Sequence, residues 1–380
     1  MNSRERVQKA INHQEADRVP IAFGGGHDSI HRNGEKKLYE YLGFDNAEIV
    51  IQDYFQQIVY PDERLLELFG SDTLPLYPKA PSGYTFEIKE EMDRYYYYDH
   101  FGTKLVCPKN GGLYFDLFDC ALKDYTLDEL KAWKMPDPLD PARIDGLREK
   151  AKNLYENTDK AIILYSPYWG VFEQIYALRG IEQMYMDFGL NLPAIEILAQ
   201  KILDFYLEYW PYCLKAVGEY VQVVQIGDDL GGQNGPLFNP EIYRSVFKDK
   251  HRQLINCIKK HTNAKVYYHG CGCMTEYIPD LIEVGVDILN PVQVQAKGMD
   301  SAFLKREYGR DLTFWGGGAN PVVLSTGSVK DVIEEVKRRV LDFKPGGGFV
   351  FASIHNLQGD APAENTIAFF ETCLKYGKYE

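Results

Sequence analysis

From about residue 160 onward, short apolar runs rich in β-branched and aromatic residues alternate with longer segments whose apolar residues recur every three to four positions. That alternation is the pattern of repeated strand and helix units around a parallel sheet. The short runs predict strands at Ala161–Ser166, Val221–Gly227, Ala264–His269, Asp287–Asn290, Leu312–Trp315 and Gly348–Ser353, and an earlier one, Val19–Phe23, follows an opening helix. Between them the helical period covers Gly180–Phe188, Pro193–Val217, Pro240–Lys260, Met274–Val284, Asp300–Tyr308 and Ser328–Asp342. With one or two further strands in the first half, the count approaches eight. A chain of 380 residues exceeds the roughly 250 of a minimal barrel, so the pattern predicts an α/β fold of the (β/α)8 TIM-barrel type. The triplet Gly24-Gly25-Gly26 lacks the GxGxxG spacing, which removes the main support for an open dinucleotide-binding sheet.

One stretch breaks the alternation. Residues 84–120 hold Tyr95–Tyr98, Phe101-Gly102 and Asn110-Gly111-Gly112, a pattern of antiparallel strands joined by turns, and predict a β excursion inserted in the N-terminal third. The chain shows no solenoid period and no long Pro/Gly/Ser linker, so residues 1–380 read as a single domain carrying that insertion. Prolines 136, 138 and 141 mark a loop before a helix.

Charge narrows the partners. Lys plus Arg number 42 against 55 Asp plus Glu, and a net charge of −13 repels phosphate backbones and anionic lipid. Nucleic acid and membrane are therefore not expected partners. The polar start Met-Asn-Ser-Arg-Glu-Arg and the lack of any apolar run near the roughly 18 residues of a membrane helix place the expectation in the cytoplasm. Of the seven cysteines only Cys271 and Cys273 are clustered, and a reducing compartment keeps such a scattered set as thiols. Aromatic residues make up 14%, which fits either large packing groups or a pocket that holds a flat ring.

Barrel chemistry gathers at the carboxyl ends of the strands, and four of the predicted strands here run into polar residues. Val221–Gly227 leads to Asp228-Asp229, Ala264–Tyr268 to His269-Gly270-Cys271-Gly272-Cys273, Asp287–Leu289 to Asn290, and Gly348–Ser353 to His355-Asn356. His269 and Cys271, two apart on an extended segment, project to one side and offer an imidazole and a thiolate that suit zinc. Alone they read more readily as a buried histidine and a small packing group. His355, at a later strand end, supplies a third ligand; Cys273 competes for that place but is strained in a contiguous His-x-Cys-x-Cys. Asp228 is preferred over Asp229 as the nearby catalytic carboxylate, Asp229 reading equally as a turn or helix cap. Gln56, Tyr165, Trp169, Phe172 and Asn290 are the substrate-binding candidates, with Tyr54, Phe55 and Tyr168 beside them; any single aromatic reads more readily as core.

Over nearly its whole length the chain resembles the uroporphyrinogen decarboxylase superfamily, which includes corrinoid-dependent methyltransferases. The resemblance is carried by Arg4-Glu5-Arg6-Val7 to Arg18-Val19-Pro20-Ile21, by Gly227-Asp228-Asp229-Leu230-Gly231 to Gly235-Pro236, by Tyr268-His269-Gly270-Cys271-Gly272 and by Pro362-Ala363-Glu364-Asn365. It implies a (β/α)8 barrel, in agreement with the strand count. Decarboxylases of the family resemble one another in Arg-Gln-Ala-Gly-Arg-Tyr, which grips substrate carboxylates. This chain has Phe23-Gly24-Gly25-Gly26-His27-Asp28 there, without the arginines a porphyrinogen needs. The methyltransferase branch resembles the chain in His-x-Cys, and its third zinc ligand, a Cys nine residues before the Glu of Pro-x-Glu-Asn, falls here on His355.

The resemblance implies zinc on His269, Cys271 and His355, an open position for substrate, and a corrinoid supplied by a separate protein, since this chain has no Asp-x-His-x-x-Gly. Two histidines and one thiolate donate less negative charge than one histidine and two thiolates, which favours polarising an ether oxygen over activating a thiol. The expected activity is methyl transfer from a small methoxylated donor, aromatic or not, to cobalt, with Asp228 or Asp229 near the leaving oxygen. A metal-independent decarboxylase or lyase of a non-porphyrin acid, and a non-catalytic binding barrel, are the alternative readings.

Overall fold

The computed structural model describes residues 1–380. An opening helix, Ser3–Ala10, begins in a capping box between Asn2 and Glu5, in which side chain and backbone satisfy each other's first free amides. Two short strands, β1 (Val50–Asp53) and β2 (Ile58–Tyr60), pair antiparallel, and β3 (Thr73–Leu76) follows. The insertion then forms a separate antiparallel sheet from β4 (Lys89–Glu91), β5 (Arg94–Tyr98), β6 (Lys104–Pro108) and β7 (Asp116–Asp119), in sequential order. The expected excursion over 84–120 is thus present.

The remaining strands are β8 (Ala161–Leu164), β9 (Val223–Gly227), β10 (Lys265–His269), β11 (Ile288–Asn290), β12 (Thr313–Trp315) and β13 (Phe349–Val350). With β3 they form one parallel sheet in the order β13-β12-β11-β10-β9-β8-β3. The six from β8 to β13 are found where the hydrophobic runs predict them, shorter by a residue or more at one or both ends, whereas β3 is not predicted. The eighth place, between β13 and β3, is taken by residues 19–23, which form no ladder of their own. Ile21 makes a single parallel bridge to Phe351, and its carbonyl accepts from the Asp72 amide at 2.7 Å. The chain therefore has the TIM-barrel architecture, seven regular strands and an eighth segment that closes the ring by isolated hydrogen bonds. Of the predicted helices, Pro240–Lys260 differs most: a short turn at Pro240–Ile242 and a wide turn at Tyr243–Phe247 precede the helix Lys248–His261.

Alternation along each strand separates two apolar layers. Ala161, Ile163, Val223, Tyr267, Ile288, Trp315 and Val350 fill the barrel, with Val7, Ala10 and Ile11 of the opening helix in the same cluster. Ile162, Leu164, Val224, Ile226, Val266, Tyr268, Leu289 and Phe314 point outward into the larger layer beneath the helices. The same parity decides which strand-end residues face the barrel axis. No helix is long and apolar enough to cross a membrane.

Candidate functional site

Counting in twos from Val223 along β9, Gln225, Gly227 and Asp229 face inward while Asp228 faces the helix layer, and the structure follows the count. Asp228 is fully buried. Its Oδ1 accepts the Phe172 and Glu173 amides at 2.9 and 2.7 Å, and Oδ2 lies 2.8 Å from His251 Nε2. It satisfies the free amides at the start of helix Val171–Arg179, whose macrodipole favours a carboxylate there. The approach is close enough to require glycine at 170, where a Cβ would fall 1.7 Å from the Gly227 carbonyl. This corrects the preference for Asp228 as the catalytic carboxylate: it stands behind the wall, and Asp229 lines the cavity at the barrel mouth.

That cavity, about 360 Å³, is also lined by His27, His269, His355, Glu173, Tyr176, Gln225, Tyr165 and Gln56. His269 belongs to two overlapping donor clusters. With Asp229 and Cys271, and separately with His27 and His355, its ligand atom lies within 4.8 Å of the others. Cys271 Sγ is 3.5 Å from His269 Nε2. Two donors on one tetrahedral zinc, at about 2.3 Å for sulfur and about 2.0 Å for nitrogen, lie roughly 3.5 Å apart. The spacing of this pair therefore fits the ion. His27 stacks on His269 with ring centroids 3.8 Å apart, and His355 lies 4.8 Å from His27 and 5.7 Å from His269.

Asn290 fixes the orientation of His269. Its amide nitrogen donates to the Trp315 carbonyl at 3.1 Å and faces Asp28 at 3.5 Å, which leaves Oδ1 to accept from His269 Nδ1 at 2.7 Å. The proton is thereby assigned to Nδ1, and the Nε2 lone pair points to Cys271, the arrangement by which a second-sphere amide orients a metal ligand. Asn290 is thus a support for His269 and does not line the cavity. Beneath it Asp28 accepts from Trp315 Nε1 at 2.7 Å, and burial lifts its carboxyl to about 7.

The electrostatics suit a cation. Burial holds His27, His269 and His355 below the usual imidazole value, with neighbouring imidazoles adding to the lowering at His27 and at His355, which stands at about 4, so all three are neutral lone-pair donors at neutral pH. His27 Nδ1 is buried without a partner. Burial, Asp229 and Glu173 push the Cys271 thiol well up, and burial beside Asp229 and Asp228 raises Glu173 likewise. A divalent ion in either cluster would relieve that repulsion, and each cluster offers donor types that suit zinc; Cys271 and His355 fall in separate clusters that share only His269.

Of the other sequence candidates, Gln56, Tyr165 and Trp169 line the cavity as expected. Phe172 does not: it is 1% exposed and packs on Phe238 and Phe247, its place in helix Val171–Arg179 turning it into the core. Cys273 is likewise buried in the outer apolar layer, away from both donor clusters. The sequence reading missed His27 and Glu173 as site residues. His27 sits on a short turn, Gly26–Asp28, after the closing segment, where strand parity gives no guide. Glu173 is delivered by the helix start that Asp228 anchors.

Comparison with known proteins agrees with this architecture. The structure is similar to a methyltransferase from Methanosarcina mazei, with a TM-score of 0.67 over 99% of each chain at 16% identity, a likeness of fold. Another solved structure, a β-glucosidase from Pyrococcus furiosus, is less similar, with a TM-score of 0.45 at 10% identity over 96% of each chain. Among curated proteins none matches the sequence. The pattern of uroporphyrinogen decarboxylase (URO-D) matches residues 101–376, a span that contains Glu173, Asp229, His269, Cys271 and His355, and the chain belongs to that family.

Proposed function

We propose that the protein is a zinc-dependent methyltransferase that moves a methyl group from a small methoxylated donor to the cobalt of a corrinoid carried by a separate protein. The observation that carries this reading is the His269–Cys271 pair, at the spacing of two zinc donors, opening with His355 and His27 into a cavity at the barrel mouth. The structural likeness to a methyltransferase supports the branch. His269, Cys271 and His355 would hold the metal, with His27 placed to join them. Zinc bound there supplies Lewis acidity to a donor oxygen.

The chain's own residues account for the rest. Asn290 keeps the His269 lone pair turned into the site. Glu173, kept protonated by burial beside Asp229, holds a proton on its carboxyl at the cavity wall, and Tyr176 OH lies 3.4 Å from Glu173 Oε1. As the O–CH3 bond breaks, its electron pair stays on oxygen and the Glu173 proton neutralises it, the methyl group leaving to an electron pair that a reduced corrinoid cobalt would supply. Asp229, bonded to the Cys271 amide at 2.7 Å, shares that proton's environment and takes the role first assigned to Asp228.

Elemental analysis of wild type, Cys271→Ala, His355→Ala and His27→Ala tests the site. The expected result is one zinc per wild-type chain, lost in the Cys271 and His355 variants; loss in His27→Ala adds that imidazole to the ligand set. A wild type that takes up no zinc under metal-replete conditions overturns the reading and favours a metal-independent lyase.

A further inference from the structure

The cavity at the barrel mouth continues into a second chamber of about 280 Å³ beneath the inserted sheet, and the two share Gln52, Asp53, Phe55, Pro167, Tyr168 and Trp169. Its walls are rings: Phe55 meets Trp169 edge-on at 5.1 Å, and Tyr168 stacks on His100 at 4.5 Å. Tyr97, Phe86 and Phe101 of the insertion complete the roof. Flat rings on several sides form a slot for another ring.

Charge around the slot has one sign. Asp53 and Asp99 line the outer chamber, which contains no lysine or arginine. The buried Arg143 lies behind Tyr168, donating to its hydroxyl at 2.5 Å, and does not line either space. Asp53 Oδ1 accepts the Phe55 amide at 2.8 Å, and Asp99 Oδ1 accepts the Phe101 and Thr103 amides at 2.8 and 2.9 Å, so each carboxylate is fixed in place by its own turn. Burial lifts both to about 6, which leaves them ionised at pH 8. A ring seated in this chamber and bearing a carboxylate would bring it against Asp53 and Asp99 and find no guanidinium or ammonium to bind it. A neutral ring meets no such opposition, and an ammonium gains both carboxylates and ring faces.

We propose that the chamber under the inserted sheet holds the ring of the methyl donor, and that the donor is an aryl methyl ether free of negative charge, not a methoxylated carboxylate. This rests on the methyl-transfer reading and specifies its substrate class. The test is a calorimetric titration of the full zinc-loaded chain with three isosteric probes: para-methoxybenzyl alcohol, para-methoxybenzylamine and para-methoxybenzoate. Expected are binding of the alcohol and the amine with Kd at least roughly tenfold below that of the benzoate. In Asp53→Asn with Asp99→Asn, where the amide oxygens keep both turns, the benzoate-to-alcohol ratio should fall towards one. The wild-type series decides the charge rule by itself, whether or not the double variant folds. Benzoate binding as tightly as the alcohol overturns the proposal. Binding of none of the three, by a chain that still holds zinc and demethylates a non-aromatic methyl ether, overturns the ring slot and leaves the methyltransferase reading standing. A chain that neither holds zinc nor transfers methyl groups from any of these donors fails at the reading itself.

Discussion

One peptide bond separates two aspartates whose surroundings have little in common. Asp228 is held by two helix amides and His251 in a space closed to ligand, whereas Asp229 meets the Cys271 amide and the cavity. Replacing Asp228 with Ala strands three polar partners in the protein interior and should cost about 3 kcal/mol or more, read as a lower Tm or urea midpoint. Asp229→Asn keeps the acceptor for the Cys271 amide, so its Tm should stay near wild type while methyl transfer slows by about 10²-fold or more. If Asp228→Ala folds as stably as wild type and Asp229→Asn transfers at full rate, the assignment is reversed. The information for this distinction was present in the chain: parity counted from Val223 turns 229 inward and 228 outward. Treating the pair as one polar strand end hid it. His27 carries no comparable signal, because its ring reaches His269 from a turn more than 200 positions earlier in the sequence.

At the scale of elements, strand parity and helical period located the parallel strands and most of the helices, since each buries one face and shows it in the pattern. Boundaries and the wide turn at Tyr243–Phe247 were not legible, nor was β3, whose four residues Thr73–Leu76 include a proline. Helix Arg32–Leu42 illustrates a further dependence that no pattern displays. Its Glu35 is fully buried, accepts the Asp62 amide at 3.2 Å, and is lifted by burial to about 7. The folded state thus holds that proton more tightly than the unfolded chain, so the stability it contributes is complete below about 4.5 and is lost as pH rises through about 7. Glu35→Gln should therefore match wild type at pH 5 and exceed it at pH 8, by up to about 3 kcal/mol. Thermal unfolding at the two pH values measures this; equal gains at both would show that the carboxyl does not titrate in that window.

Across the whole molecule, closure depends on a single buried carboxylate. Asp72, at the entrance to β3, accepts from Arg6 Nη1 at 2.7 Å, from Arg18 Nη1 at 2.7 Å, and from the Ile21 amide at 2.8 Å. It thereby joins the opening helix, the irregular eighth segment and the first regular barrel strand. Asp72→Ala leaves two guanidinium groups facing each other without their shared partner, and a loss of about 3–5 kcal/mol is expected, seen in denaturant unfolding. A loss below about 1 kcal/mol would mean that packing of Val19, Ile21 and Phe23 closes the ring unaided. The ring slot, finally, draws its floor from strand ends and its roof from the inserted sheet, so its two halves derive from separate stretches of chain. Under the proposed methyl transfer, reaction and recognition fall to separate stretches of chain, as an engine is separate from its loading bay. Natural drift or deliberate grafting within residues 84–120 can reshape the chamber, while the histidines and thiol at the barrel mouth stay untouched.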